Sequence, residues 1–217
     1  MIGIYGGTFN PVHYGHLRTA VEVTEQFALD ELRLIPCYQS PLKNSSQASP
    51  VARLEMLQLA IKDQAGLVCD SRELDRKGHS YMIDTLISLR LELPDSPLLL
   101  FMGSDAFVHL SSWYQWRQLF NYAHIVVMTR PNSEKPTFSD FLNNKLTANI
   151  SELKAKKAGA LFFQNVTQLD ISATAIRALQ AQKRSIRFLL PDNIIDYIER
   201  HKLYQKINQE IECNKMN

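Results

Sequence analysis

Residues 1–16 read MIGIYGGTFNPVHYGH. An apolar run over 2–5 stops at Gly6 and Gly7, and Thr8, Asn10, Pro11, His13 and His16 follow before a helical pattern begins near Tyr14. Apolar residues in succession, without alternation, mark a strand covered on both faces, as in a mostly parallel sheet. The opening is therefore read as a strand, a glycine-bearing loop and a helix.

The same rhythm continues outward. Apolar runs recur at 32–37, 67–69, 98–102, 124–128 and 161–163. Between them, Leu17, Ala20, Val21, Thr24, Phe27 and Ala28 share one helical face, and Leu54, Leu57 and Ile61 another. Ser49-Pro50 supplies a side-chain cap and a first-turn proline, and Ser80 is placed to cap the helix carrying Ile83, Leu86 and Leu89. Near the end, Pro191 and Asp192 open a helix with Ile194, Ile195 and Ile198 inward.

The alternation predicts a Rossmann-like three-layer α/β domain with a mostly parallel sheet and a C-terminal helical segment. One domain is expected over 1–204, followed by a frayed tail at 205–217. The polar stretch 37–49 is expected to be a mobile loop, and the weakly periodic 131–159 to hold a helical excursion. Right-handed crossovers align the strand C-terminal ends along one edge, so chemistry is expected just after strands.

Composition narrows the function classes. Of 217 residues 45% are hydrophobic, enough for a sizeable core, and 24 basic against 22 acidic residues leave a net charge of only +2. That balance, with no basic stripe interleaved with aromatics, argues against a nucleic-acid binder or a membrane-surface protein. Cys37, Cys69 and Cys213 are odd in number and not spaced as metal ligands, so they read as reduced thiols. With no export leader and no spanning run, a soluble cytoplasmic protein is expected.

Gly6 and Gly7 remove side chains where the backbone is expected to turn, letting a ligand approach the peptide N–H groups. Thr8 adds a hydroxyl, and the helix starting near Tyr14 aims its unpaired amides and positive dipole end at the same space. This is an anion site, and phosphate fits it best. His13 and His16, three residues apart, can both face that anion. A glycine pair after a strand is also a common tight turn, and two histidines at this spacing also fit a metal half-site or capping.

A second anchor lies far along the chain. In DISATAIR (170–177) Ser172 is placed as a helix cap, with Thr174 and Arg177 in the first turns. Amides, hydroxyls and a guanidinium that can fork onto oxygens make a second phosphate grip. In the middle, the run 98–102 delivers Gly103, Ser104 and Asp105 to a strand end, where Asp105 suits ribose hydroxyls or a helix cap. Trp113, Tyr114 and Trp116 then crowd a short polar segment, with at least one ring expected in the core and another free to stack on a flat ligand.

Taken whole, GGTFNPVHYGH resembles the signature of the nucleotidylyltransferase superfamily, and DISATAIR its Ile-Ser-Ser-Thr-x-x-Arg motif, with Ala173 replacing the second serine. The resemblance implies transfer of a nucleotidyl group with release of pyrophosphate. It implicates Gly6, Gly7, Thr8, Phe9, His13, His16, Gly103, Asp105, Ser172, Thr174 and Arg177 in binding ATP, with His13, His16 and Arg177 as the catalytic set. Asn10 stands where many members carry Asp and is assigned no proton role.

The Trp113 segment, SYMIDTL (80–86) and AHIVVMTRP (123–131) are similar to bacterial nicotinate mononucleotide adenylyltransferases, a resemblance that spans residues 1 to about 204. It implies that the pyridine ring stacks on Trp113, that the nicotinate carboxylate meets backbone amides near Thr85 and Tyr114, and that Lys43 and Arg130 also serve the acceptor. Leu42 departs from the family, where a histidine precedes the lysine. The implied partners are ATP, with Mg²⁺ carried mainly on its phosphates, and nicotinate mononucleotide, in a monomer or homo-oligomer. A sister transferase for nicotinamide mononucleotide or phosphopantetheine, and a nucleotide-sensing module without turnover, are the alternatives.

Overall fold

A computed structural model describes residues 1–40, 47–130 and 139–205. Lys43, the interior of the 37–49 loop, Pro131 and the tail from 206 with Cys213 lie outside the described residues, as do the expectations attached to them.

Among the described residues six strands form one sheet: β1 (Ile2–Gly7), β2 (Glu31–Pro36), β3 (Leu67–Cys69), β4 (Leu98–Gly103), β5 (His124–Thr129) and β6 (Leu161–Asn165). Their order is β3-β2-β1-β4-β5-β6, and every pairing is parallel rather than mostly so. Strand order reverses between β1 and β4, which opens a crevice at their C-terminal ends. The helices are α1 (Tyr14–Gln26), α2 (Pro50–Ile61), α3 (Arg72–Arg76), α4 (Met82–Glu92), α5 (Ser104–Val108), α6 (Leu119–Tyr122), α7 (Asp140–Asn143), α8 (Ile150–Ala155), α9 (Ala173–Ala181) and α10 (Asp192–Arg200).

The pleat explains the unalternating strands. Leu99, Phe101, Val126 and Met128 pack into one core with residues of α1, α2, α9 and α10. Their neighbours Leu98, Leu100, Ile125 and Val127 pack into a second with α4 and α6. β4 and β5 therefore carry apolar residues almost throughout. Phe27 anchors the first core, its ring 5.3 Å from Phe101 and 5.8 Å from Phe162.

Three local expectations change. Ala28 lies past the end of α1, exposed and with φ +47°, so the buried face of that helix centres on Ala20 and Val23. Ser80 does not cap α4, which starts after Tyr81 without a side-chain cap. Its hydroxyl instead accepts from the Tyr38 N–H at 2.9 Å, because the loop after β2 runs alongside. The excursion at 131–159 contains the two short helices α7 and α8, the latter capped by Asn149 accepting from Ser151 N. Ser49 does cap α2, accepting from Ala52 N at 3.1 Å. On that helix, Glu55 accepts from the Tyr197 hydroxyl of α10, and the Leu59 carbonyl accepts from Asn193 at 2.9 Å.

At the sheet edge opposite the crevice, Arg90 collects the chain where it enters three strands. Its Nη1 donates to the carbonyls of Leu93 (3.0 Å) and Ser96 (2.7 Å), and its Nη2 to those of Tyr122 (2.7 Å) and Lys157 (2.9 Å). Buried His124 adds a neutral clamp: Nδ1 accepts from Ala160 N at 3.1 Å, which leaves the proton on Nε2 to donate to the Lys156 carbonyl at 2.9 Å. Burial holds the pKa of this imidazole below its ordinary value. Replacing Arg90 by Met leaves several carbonyls unpaired, and Arg90→Met is expected to cost about 2–4 kcal/mol of stability in urea denaturation.

Candidate active site

β1 runs through Gly7, so neither glycine makes the turn. The chain bends two residues later than expected, at Phe9 with φ +46°, and the Asn10–Pro11 peptide is cis. The glycines make room instead. A Cβ on Gly6 would lie 2.6 Å from the Met82 methyl, and one on Gly7 2.9 Å from the Phe9 ring, which folds back over it and is itself buried. Phe9 in turn sits edge-on to His16, ring centroids 5.1 Å apart.

His13 ends the loop in an extended conformation, and its carbonyl accepts from His16 N and Leu17 N at 2.9 and 3.1 Å as α1 begins. The two imidazoles stack with centroids 3.7 Å apart and planes 30° off parallel. His13 is only 5% exposed, and burial pulls its pKa down to about 4. Its Nδ1 has no hydrogen-bond partner among the described residues. The imidazole is thus neutral at pH 7 in the ligand-free chain, with an unused polar atom.

The second motif meets the first. Ser172 caps α9, accepting from Ala175 N at 3.1 Å. From the same helix Arg177 donates through Nη2 to Thr174 Oγ1 at 3.1 Å and through Nη1 to the carbonyl of Asn10 at 2.7 Å. The Asn10 side chain is buried, and its Oδ1 accepts from the Tyr204 hydroxyl at 2.6 Å. Burial raises the Tyr204 pKa, so that hydroxyl keeps its proton and donates.

These groups line a cavity of about 760 Å³ at the C-terminal ends of β1 and β4. Gly6, Gly7, Thr8, Phe9, His13, His16, Gly103, Asp105, Ser172, Thr174 and Arg177 all border it. Gly103 precedes α5, which has no side-chain cap. Asp105 is therefore not a helix cap, and its exposed carboxylate folds back to within 2.6 Å of where a Gly103 Cβ would stand. A wider hollow of about 1070 Å³, bordered by residues of α9 and α10, carries none of the motif residues.

The acceptor candidates divide. Trp113 is half-buried on the cavity wall, whereas Trp116 packs edge-on to Phe141 at 5.3 Å with the Arg117 guanidinium 5.3 Å from its ring. Tyr114 is exposed, its ring 5.0 Å from that of Tyr81. The Thr85 hydroxyl turns away from the cavity, donating to buried Glu73 at 2.6 Å and accepting from Arg76 at 3.1 Å. Exposed Arg130 donates to Gln168 at 3.0 Å and does not border the cavity. Sequence reasoning missed Arg53, a fully buried charge on the cavity wall, although its place beside Met56 and Leu57 on the inner face of α2 was a visible signal. It also missed Tyr204, for which no local signal exists.

Fold and site together define a nucleotidyltransferase domain, and the cytidylyltransferase-like family model matches residues 4–179. The chain belongs to that family and, within it, to the nicotinate-nucleotide adenylyltransferases. It is 47% identical over 95% of its length to a relative from Methylococcus capsulatus, covering all of that protein, and 47% identical over 94% to one from Pseudomonas aeruginosa, covering 97%. Both relatives are named probable nicotinate-nucleotide adenylyltransferase. The fold is also that of the Plasmodium falciparum nicotinic acid mononucleotide adenylyltransferase solved in complex with NaAD, with TM-score 0.71, 19% identity, and 94% of this chain and 96% of that one covered.

The burial of His13 carries a pH signature. Below its ordinary value of 6.5 the unfolded chain binds a proton that the folded chain refuses until about pH 4. Stability from this group is therefore complete above pH 6.5 and is lost as pH falls toward 4. Denaturation of the ligand-free protein across that window should show the loss, and His13→Gln should reduce the slope by up to one bound proton; an unchanged slope would contradict the assignment.

Proposed function

We propose that the chain transfers the adenylyl group of ATP to nicotinate mononucleotide, yielding nicotinate adenine dinucleotide and pyrophosphate. One observation carries the reading: the 6–16 and 172–177 motifs, at opposite ends of the sequence, converge on one cavity through the bond from Arg177 to Asn10. The shared name of the relatives supports the acceptor.

The attacking phosphate arrives already anionic, so no general base and no covalent intermediate are needed. Catalysis reduces to alignment and charge stabilisation, as in other phosphoryl-group chemistry. The amides at Gly6, Gly7, Thr8 and Phe9 and the start of α9 receive the triphosphate, with Ser172 and Thr174 adding hydroxyls. His13, His16 and Arg177 donate to the phosphates where charge develops on the leaving pyrophosphate. A bound polyphosphate favours the charged imidazole and opposes the burial that depresses His13, so substrate is expected to draw a proton onto the pair.

Gly103 leaves room for Asp105 to reach the ribose hydroxyls. Trp113 offers its face to the pyridine ring, with the nicotinate carboxylate directed to backbone amides near Thr85 and Tyr114, and Lys43 serving the acceptor phosphate. Among the described residues no cluster of three or more His, Cys, Asp and Glu is placed to hold a metal. Mg²⁺ would enter on the ATP phosphates, where it neutralises part of their charge. Among the described residues no helix is long and apolar enough to cross a membrane. We place the reaction in the cytoplasm, with small-molecule partners only and a monomer or homo-oligomer as the working unit.

The test is pyrophosphate release from Mg·ATP with nicotinate mononucleotide, nicotinamide mononucleotide and phosphopantetheine offered separately and products identified by mass. Strong preference for the nicotinate substrate is expected; activity only with phosphopantetheine would overturn the acceptor, and tight ATP binding without release would point to a sensor. His16→Ala should lower kcat by about 10²–10³ in a folded protein, the loss expected for one positioned transition-state donor. Trp113→Ala should raise KM for the nicotinate substrate roughly 10-fold or more, from the loss of ring stacking, with a smaller change in KM for ATP.

A further inference from the structure

Arg53 occupies the inner face of α2, where the helix would ordinarily present an apolar side chain to the sheet, and it is 0% exposed. Its Nη1 donates to the carbonyl of Thr8 at 2.8 Å, and its Nη2 to those of Cys37 at 2.6 Å and Tyr38 at 3.0 Å. Thr8 belongs to the loop leaving β1, while Cys37 and Tyr38 belong to the loop leaving β2. One guanidinium thus fastens two loops that depart from adjacent strands at the edge where the cavity opens. The Tyr38 peptide is also held from its other side, since its N–H donates to Ser80 Oγ at 2.9 Å just before α4.

All three acceptors are neutral carbonyls. Among the described residues no carboxylate pairs with Arg53, and its Nε is buried without a partner. A buried cation without a counter-ion is costly to keep. Its position on the wall of the phosphate cavity supplies a reason to keep it. The carbonyl oxygens of both loops, which would repel a phosphate if they faced it, are turned onto the guanidinium.

We infer that Arg53 is a positioning residue for adenylyl transfer: it fixes the spacing of the β1 and β2 loops around the phosphates, and bound polyphosphate is the counter-ion of its charge. The inference rests on the adenylyl-transfer reading. Lysine keeps the charge but lacks a planar fork able to hold three carbonyls, and methionine keeps much of the length without the charge, so the two substitutions separate the two roles.

The experiment compares the full chain with R53K and R53M, measuring kcat and KM for Mg·ATP by pyrophosphate release and the shift in Tm caused by added inorganic pyrophosphate, with folding verified by circular dichroism. In R53K, kcat/KM for ATP is expected to fall about 10–100-fold, the scale of lost charge-assisted hydrogen bonds, while pyrophosphate still raises Tm. In R53M both the rate and the pyrophosphate shift are expected to collapse. Wild-type kinetics in both folded variants, or an undiminished pyrophosphate shift in R53M, would overturn the inference. If R53M does not fold, R53K decides: wild-type kcat/KM rejects the positioning role, and the stated loss with a retained shift supports it. A wild-type chain that releases no pyrophosphate with nicotinate mononucleotide would instead reject the activity, and loss of the pyrophosphate shift in R53M would still support the counter-ion role of Arg53.

Discussion

The bond from Arg177 to the carbonyl of Asn10 joins two segments 167 residues apart, and the nucleotide site depends on it. Neither motif suffices alone. The glycine-bearing loop offers amides and two stacked imidazoles, and α9 offers its N-terminus with Thr174 and a guanidinium, but only their apposition encloses the cavity. Tyr204 reinforces the joint from behind by donating to the Asn10 side chain. An asparagine in place of an aspartate here keeps an acceptor for that hydroxyl without burying a negative charge. The departure from the family signature thus fits the local electrostatics.

Two arginines hold the two edges of the sheet by the same device. Arg90 gathers carbonyls where the chain enters β4, β5 and β6, and Arg53 gathers carbonyls where it leaves β1 and β2. A guanidinium suits this work because its donors are planar and divergent, so several chain segments can be fastened at one point. The difference lies in exposure. Arg90 sits at a partly open edge, whereas Arg53 is fully enclosed and faces the substrate cavity.

β4 and β5 were the most legible strands because both are buried on both faces, which writes a nearly unbroken apolar run into the sequence, as in LLLFM over 98–102. The two motifs that meet at the cavity were legible because each is local: a strand end, a helix start and a few polar side chains within a dozen residues. Interactions between distant segments were not. Ser80 has the composition of a cap, but the neighbouring Tyr38 peptide takes its hydroxyl. Thr85 entered only through the backbone amides near it, and the bond from its hydroxyl to Glu73 had no local sign in the sequence. Gly6 and Gly7 lie within β1 rather than in a turn, and the room they leave goes to Met82 and Phe9.

The hydroxyl of Tyr204 reaching back to Asn10 also bears on how the protein is made. Ribosomal synthesis delivers residues 6–16 first, with their loop and both histidines, long before α9 or the turn that carries Tyr204 has emerged. Until then Asn10 lacks both Arg177 and Tyr204, and the first motif cannot rely on its neighbours for shape. The surroundings of Asn10 are therefore completed only once residue 204 has been made, and until then the signature sequence lacks two of the partners that hold its loop.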